Sequence, residues 1–291
     1  MKRRVLLWFL ALGYLASALG LAQAFPRTLT DDLGRSVTLK AAPQRIVAML
    51  PSVTETLCAM NACSRLVGVD DFSDFPEAVK RLPKVGGLYN PNPEAIVALK
   101  PDLVVVSVYG RLHETLERAG VTTLAVKPET YGDIFRTTRL LGRALGLEAQ
   151  AERLVARIQQ EVYAVESKAA RAPQRPTVYY EIDPTPYTVG PDSFIGVLIA
   201  KARGQNIIPK ELGLFPQISP ELVVQKNPAV IVLTHPGVAD LPKRPGWSNI
   251  AAIRNQRICS YTGPQDNLLS RPGPRVAQGL QLLLECFHGL R

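Results

Sequence analysis

The phrase NPNPEAIVALKPDLVVV, residues 90–106, returns as ISPELVVQKNPAVIVL at 218–233. Aligned at an offset of 127 residues, Pro93 falls on Pro220, Glu94 on Glu221, Ile96 on Val223, Val97 on Val224 and Pro101 on Pro228, and an apolar strand follows each copy. A chain that repeats one helix–strand unit so far apart is expected to form two similar lobes rather than one enlarged sheet. Each copy predicts the same local structure: a capping residue (Asn92, Ser219), proline at the first helical position, and glutamate at the second. A carboxylate there gains about 0.3–1 kcal/mol from the helix dipole, so either glutamate alone needs no function. The pair is different. Two acidic knobs at corresponding places on two lobes suit a partner that presents two arginines, each able to grip a carboxylate through two N–H groups.

The rest of the chain has the rhythm this predicts. RTLTDDLGRSVTL alternates on both sides of Asp32-Leu33-Gly34, a hairpin pattern. Strand and helix patterns then alternate: RIVAML, SVTETLCAMNA capped by Ser52, RLVGV, PEAIVALK, DLVVVS, RLHETLERAG, TTLAV. Such alternation predicts βαβ units on a parallel sheet. For about forty residues after Tyr131 no strand pattern occurs. Ala151, Leu154, Val155, Ile158, Val162 and Val165 recur at helical spacing, which predicts one long helix from about Glu148 to Ala170, broken by PQRP. The alternation then restarts with TVYYEI, DSFIGVLIAKA, PELVVQK, AVIVL, a helix around Trp247–Ile253, RICSY and a closing helix from about Gly273. The expected fold is α/β: two lobes, each with a central, mainly parallel sheet flanked by helices, joined by one long helix. The expected divisions are a leader at 1–24, an N-terminal lobe at 25–147, a linking helix at 148–171 and a C-terminal lobe at 172–291.

The leader follows from MKRR, an apolar run from Val5 to about Leu21 and the small residues AQA, a pattern that is cleaved after Ala24 on export. No cysteine stands near that point, so no lipid anchor is expected, and the protein is placed in the periplasm or outside the cytoplasm. Loss of Lys2, Arg3 and Arg4 would reduce the formal charge from +9 to +6. The remaining basic residues are scattered without a basic, aromatic-interleaved stripe, so nucleic acid is not an expected partner. Of the four cysteines, Cys259 and Cys286 could pair or stay free, and Cys58 and Cys63 are five apart, a poor spacing inside a continuous helix. No C-x-x-C occurs and the three histidines are isolated, so no metal site is expected. G-x-S-x-G, G-x-G-x-x-G and Walker A patterns are all lacking, which leaves an enzyme reading with no visible anchor.

DDLGRSVTLKAAPQRIVAMLPSVTETLCAM, VGVDDFSDFPEAVKRLPKVGG, NPEAIVALKPDLVV, SPELVVQKNPAVIV and SRPGPRVAQGLQLL together resemble the substrate-binding proteins of ABC importers whose lobes are joined by a single helix, in the vitamin B12-binding and iron-complex-binding group. The resemblance spans nearly the whole chain beyond the leader. It implies a monomer without intrinsic cofactor that docks on a membrane permease dimer, with Glu94 and Glu221 meeting permease arginines, and that carries a metal-chelate ligand between its lobes. Ligands of open α/β sheets lie beyond the carboxyl ends of the strands. By matching positions in the family, Phe72, Tyr89, Tyr187 and Phe215 are expected to face the cleft, with Asp266 and Arg271 from the late loop TGPQDNLLSRP; Phe75 and Tyr109 are assigned to packing. A corrinoid such as cobalamin is the first expectation. Tyr89 and Phe215 stand where B12 binders usually carry tryptophan, which keeps two other ligands in view. Haem could take an axial oxygen from Tyr89 or Tyr187, and a ferric siderophore could use Arg111, Arg271 and Arg275.

Overall fold

A computed structural model describes residues 25–290; the leader expected at 1–24 lies outside the described residues. A two-stranded antiparallel hairpin, β1 (Arg27–Thr30) and β2 (Ser36–Leu39), precedes the first lobe. That lobe contains β3 (Ile46–Ala48), α1 (Pro51–Ala59), β4 (Leu66–Val69), α2 (Pro93–Ala98), β5 (Leu103–Ser107), α3 (Leu112–Arg118) and β6 (Thr123–Val126). Two helices follow, α4 (Tyr131–Leu145) and α5 (Glu148–Ala169). The second lobe contains β7 (Thr177–Asp183), β8 (Tyr187–Thr188), α6 (Phe194–Lys201), β9 (Gln205–Asn206), α7 (Pro220–Lys226), β10 (Val230–Leu233), α8 (Ala251–Arg254), β11 (Ile258–Ser260), α9 (Pro264–Ser270) and α10 (Val276–His288).

The first sheet is parallel, in the order β4-β3-β5-β6. β3 and β5 are buried along their whole length, the apolar run of a strand covered on both faces. In the second sheet β7 pairs in parallel with β9 on one side and β10 on the other, and β10 continues to β11. The order β9-β7-β10-β11 thus reproduces β4-β3-β5-β6, and α2 and α7 enter equivalent strands. The repeated phrase is this shared unit. The second lobe adds β8, which folds back antiparallel on the end of β7.

Between the sheets, α4 begins at a capping box in which Thr130 accepts from the Asp133 N–H and the Asp133 carboxylate accepts from the Thr130 N–H at 2.8 Å. It ends at Gly146, whose φ of 70° suits a residue without a Cβ. α5 is the expected long helix, 22 residues and roughly 33 Å long. Ala151, Leu154, Val155, Ile158 and Val162 are its buried stripe. A Cβ added at Gly142 would come within 2.5 Å of the Ala151 Cβ, so glycine allows α4 and α5 to pack closely. One apolar core runs without a break from Leu57 of α1 through Ile158 of α5 to Leu283 of α10.

Two local expectations change, and the cysteine pairing left open is decided. α1 starts at Pro51, in the favoured first position, so Ser52 is a buried residue of the first turn and not the cap. The segment holding Asp266 is not a loop but the helix α9. Both cysteine pairs are disulfides: Cys259–Cys286 joins β11 to α10, and Cys58–Cys63 closes where α1 has ended and Asn61 turns left-handed at φ 64°, bringing the Cα atoms to 4.1 Å. No helix among the described residues is long and apolar enough to cross a membrane.

Candidate functional site

The carboxyl ends of the first sheet open onto a cavity of about 410 Å³, within the range of small-molecule sites. Its floor is the β3–α1 junction, Leu50 to Ser52. Phe72, from the loop after β4, and Leu88 form one side, and Ser107 at the end of β5 and Tyr109 beyond it form another with the segment 126–129 at and after the end of β6. The second lobe contributes one turn of α9 and the residues after it: Asp266, Asn267, Ser270, Arg271 and Pro272. The Phe194 N–H at the start of α6 donates to the Glu129 carbonyl at 2.9 Å, a backbone bond that ties the lobes beside the cavity.

Of the residues expected here, Phe72, Asp266 and Arg271 line the cavity, with Phe72 67% exposed. Tyr89, Tyr187 and Phe215 do not. Tyr89 projects from the tip of the 86–91 turn and is 95% exposed. Tyr187 begins β8, bridges to Gln217 through the backbone and is 44% exposed. Phe215 is half-buried against the core, 6.5 Å from the Phe194 ring. Phe75 lies outside the cavity lining and is 44% exposed, with the Arg275 guanidinium 4.1 Å above its ring. Tyr109, assigned to packing from sequence, lines the cavity and is half-exposed.

The charged groups of the cleft are engaged with one another. The Tyr109 hydroxyl donates to Glu129, and Lys127 Nζ lies 3.0 Å from the same carboxylate. Burial, reinforced by the negative charge of Asp133, pushes the Glu129 carboxyl above the usual range. Burial also raises Asp266, against a hydrogen bond from Ser270 and the charge of Arg271. Arg271 Nη1 donates to Glu55 at 2.9 Å and Asp74 at 2.6 Å, and Nη2 donates to the Phe72 carbonyl at 2.9 Å. Arg275 reaches the same Glu55 through Nε at 2.8 Å and through Nη2. Asn267 donates to Asp74 at 3.1 Å. The loop carrying Phe72 is therefore held from the second lobe, and from its own lobe by Asp70, which accepts the Phe72 N–H at 2.9 Å and the Ser73 hydroxyl.

Glu94 and Glu221 both sit exposed on the second residue of their helices. Asn92 caps α2 by accepting the Ala95 N–H at 2.9 Å. Ser219 instead donates its hydroxyl to Glu221 at 2.6 Å, which with the residue's own N–H holds that carboxyl below the usual range. Asn92 N–H bonds the Val85 carbonyl and Ile218 N–H the Pro186 carbonyl, so both helix starts lie at the carboxyl ends of their sheets. No group of three metal-ligating side chains occurs among the described residues.

Sequence reasoning missed Ser107, Lys127 and Glu129. Their signal was position: Ser107 is the last residue of β5, and Lys127 and Glu129 lie one and three residues beyond the end of β6, on the side of the sheet where ligands of such folds lie.

Two lobes of identical strand order, braced by one helix and closing on a cavity at their strand ends, define a two-lobed solute-binding protein. Residues 46–264 match the periplasmic binding protein family, to which the chain belongs. An uncharacterized ABC transporter substrate-binding lipoprotein of Bacillus subtilis, YvrC, is 31% identical, covering 91% of this chain and 87% of its own. A cobalamin-binding protein of Halobacterium salinarum is 30% identical over 92% of this chain and 75% of its own. Among solved structures, the apo periplasmic heme-binding protein RhuT of Roseiflexus sp. RS-1 superimposes with a TM-score of 0.75 at 28% identity, covering 84% of this chain and 98% of that one. The chain is thus a substrate-binding protein of the ABC-importer class.

Proposed function

We propose that this protein captures a corrinoid, such as cobalamin, outside the cytoplasm and delivers it to an importer in the membrane. In this reading the lobes span 25–147 and 172–291, the helix at 148–171 limits their motion, and Glu94 and Glu221 dock on a permease dimer. The observation that carries the ligand assignment is the lining. Phe72, Leu50, Leu88 and Tyr109 offer apolar and aromatic surface, and Ser52, Ser107, Asn267 and Ser270 offer neutral hydrogen-bonding groups. A flat macrocycle rimmed by amides meets both needs, and a Halobacterium relative named for cobalamin supports the choice.

Haem is the second reading, favoured by one feature: Tyr109 puts a phenol oxygen in the cavity, a group that can ligate haem iron. Tyr89 and Tyr187 no longer support it. An acidic siderophore has less support, since Arg271 and Arg275 are engaged by Glu55 and Arg111 is paired with Glu114 on an exposed surface. Calorimetric titration with cobalamin, haem and a ferric hydroxamate tests the ranking. Cobalamin is expected to bind most tightly and, at 100-fold excess over its Kd, to raise stability by about 2.7 kcal/mol. Haem binding more tightly, with a visible spectrum altered by Tyr109→Phe, would overturn the corrinoid assignment.

A further inference from the structure

The chain is basic, at +9, yet the cavity has no cation to spare. Its charged lining side chains are Lys127, Glu129, Asp266 and Arg271, two of each sign. Lys127 is held by Glu129 at 3.0 Å. Arg271, the one guanidinium on the wall, has an 8% exposed side chain and spends both Nη1 protons on carboxylates and one of its Nη2 protons on a carbonyl. Behind it Arg275 gives Nε and Nη2 to Glu55 and lays its face on Phe75. Two arginines of the second lobe therefore meet two carboxylates of the first, Glu55 in α1 and Asp74 after β4. Both carboxylates suit that task. Glu55 is 2% exposed at its side chain and accepts from both arginines. Burial would raise the Asp74 carboxyl, but the Arg271 hydrogen bond and the charges of Arg271 and Arg275 outweigh it and hold it below the usual range.

We infer that Glu55 and Asp74 are specificity-determining residues that select against anionic ligands. By occupying Arg271, the one guanidinium on the wall, with Glu55 also holding Arg275 behind it, they withdraw the cation that would otherwise neutralise ligand carboxylates, so the cavity accepts a macrocycle whose periphery is uncharged and rejects the same ring bearing free acids. This rests on the cavity being the ligand site, but not on the ring being a corrin. The two residues act through the arginines and need not touch the ligand.

The test uses rings that differ only in peripheral charge: dicyanocobyrinic acid heptaamide against the corresponding heptacarboxylic acid, and haem against its propionate diamide. For the purified protein the neutral member of whichever pair binds is expected to be tighter by about tenfold or more, since unpaired like charges are strongly disfavoured at such sites. Asp74 is partly exposed, so Asp74→Ala should keep the fold and narrow that ratio by about threefold, chiefly by strengthening the acid form. Glu55→Gln, if its far-UV circular dichroism is native, should narrow it further. Equal binding of both members by the native protein, or an Asp74→Ala variant that weakens both alike, overturns the inference. If only the haem pair binds, the corrinoid assignment falls and the charge preference is read from haem; if neither ring binds, both readings fall.

Discussion

Asp31 shows how much one buried carboxylate can organise. Its side chain is fully buried, accepts the N–H groups of Leu33, Arg35 and Ala125 at 2.9–3.2 Å, and binds the Arg35 guanidinium at 2.6 and 3.0 Å. It closes the β1–β2 turn and fastens it to β6. Burial works against the charge, but the Arg35 and backbone hydrogen bonds outweigh it and hold the carboxyl below the usual range. The sign follows: between the folded and unfolded pKa values the unfolded chain binds more protons, so the stabilisation is complete above the unfolded value of about 3.9 and is lost as pH falls through the folded one. Urea midpoints should therefore drop as the pH falls below about 4, and Asp31→Asn should flatten that drop while costing about 1–3 kcal/mol at pH 7, where it leaves buried donors badly matched. A variant as pH-sensitive as the native protein would refute this role. The expected site residues divide. Phe72, Asp266 and Arg271 were expected at the cleft through the family resemblance, and they do line the cavity. Tyr89 and Phe215, expected there on the same ground, do not: the turn that lifts one into solvent and the neighbour that buries the other leave no local mark.

At the scale of elements, the sheets and α5 were readable because burial on fixed faces imposes a period on the sequence. The length of α5, Glu148–Ala169, differs by one residue from the stripe's prediction. α9 escaped: its seven residues bury only Leu269, too little to write a helical period. The disulfides escaped for another reason, since pairing depends on where α1 stops and where α10 lies against β11. Their loop sizes predict different weights. By chain entropy, a crosslink spanning 27 residues should contribute about 3.5 kcal/mol and one spanning 5 about 2 kcal/mol. Replacing Cys259 and Cys286 by serine should lower the denaturation midpoint clearly more than replacing Cys58 and Cys63; the reverse order would show that the short crosslink holds the end of α1 by more than chain entropy.

For the whole molecule, the decisive feature is that two lobes with the same order of parallel strands share a core through α5 and meet again at Glu55, Asp74 and the arginines of the second lobe. If the proposed limit on lobe motion holds, release of ligand should need an external partner acting on exposed points such as Glu94 and Glu221. The Glu94→Ala/Glu221→Ala protein is expected to keep its ligand affinity, because neither residue lines the cavity, and to lose uptake in a transport assay. Unimpaired uptake would remove the docking role. The sequence by itself determined the duplicated α/β plan, the long brace and the two acidic helix starts, since each is written in local periodicity, capping and repetition. Only the tertiary structure decided which aromatics face the cleft and which charges are free, because those depend on side chains far apart in sequence meeting across the lobes.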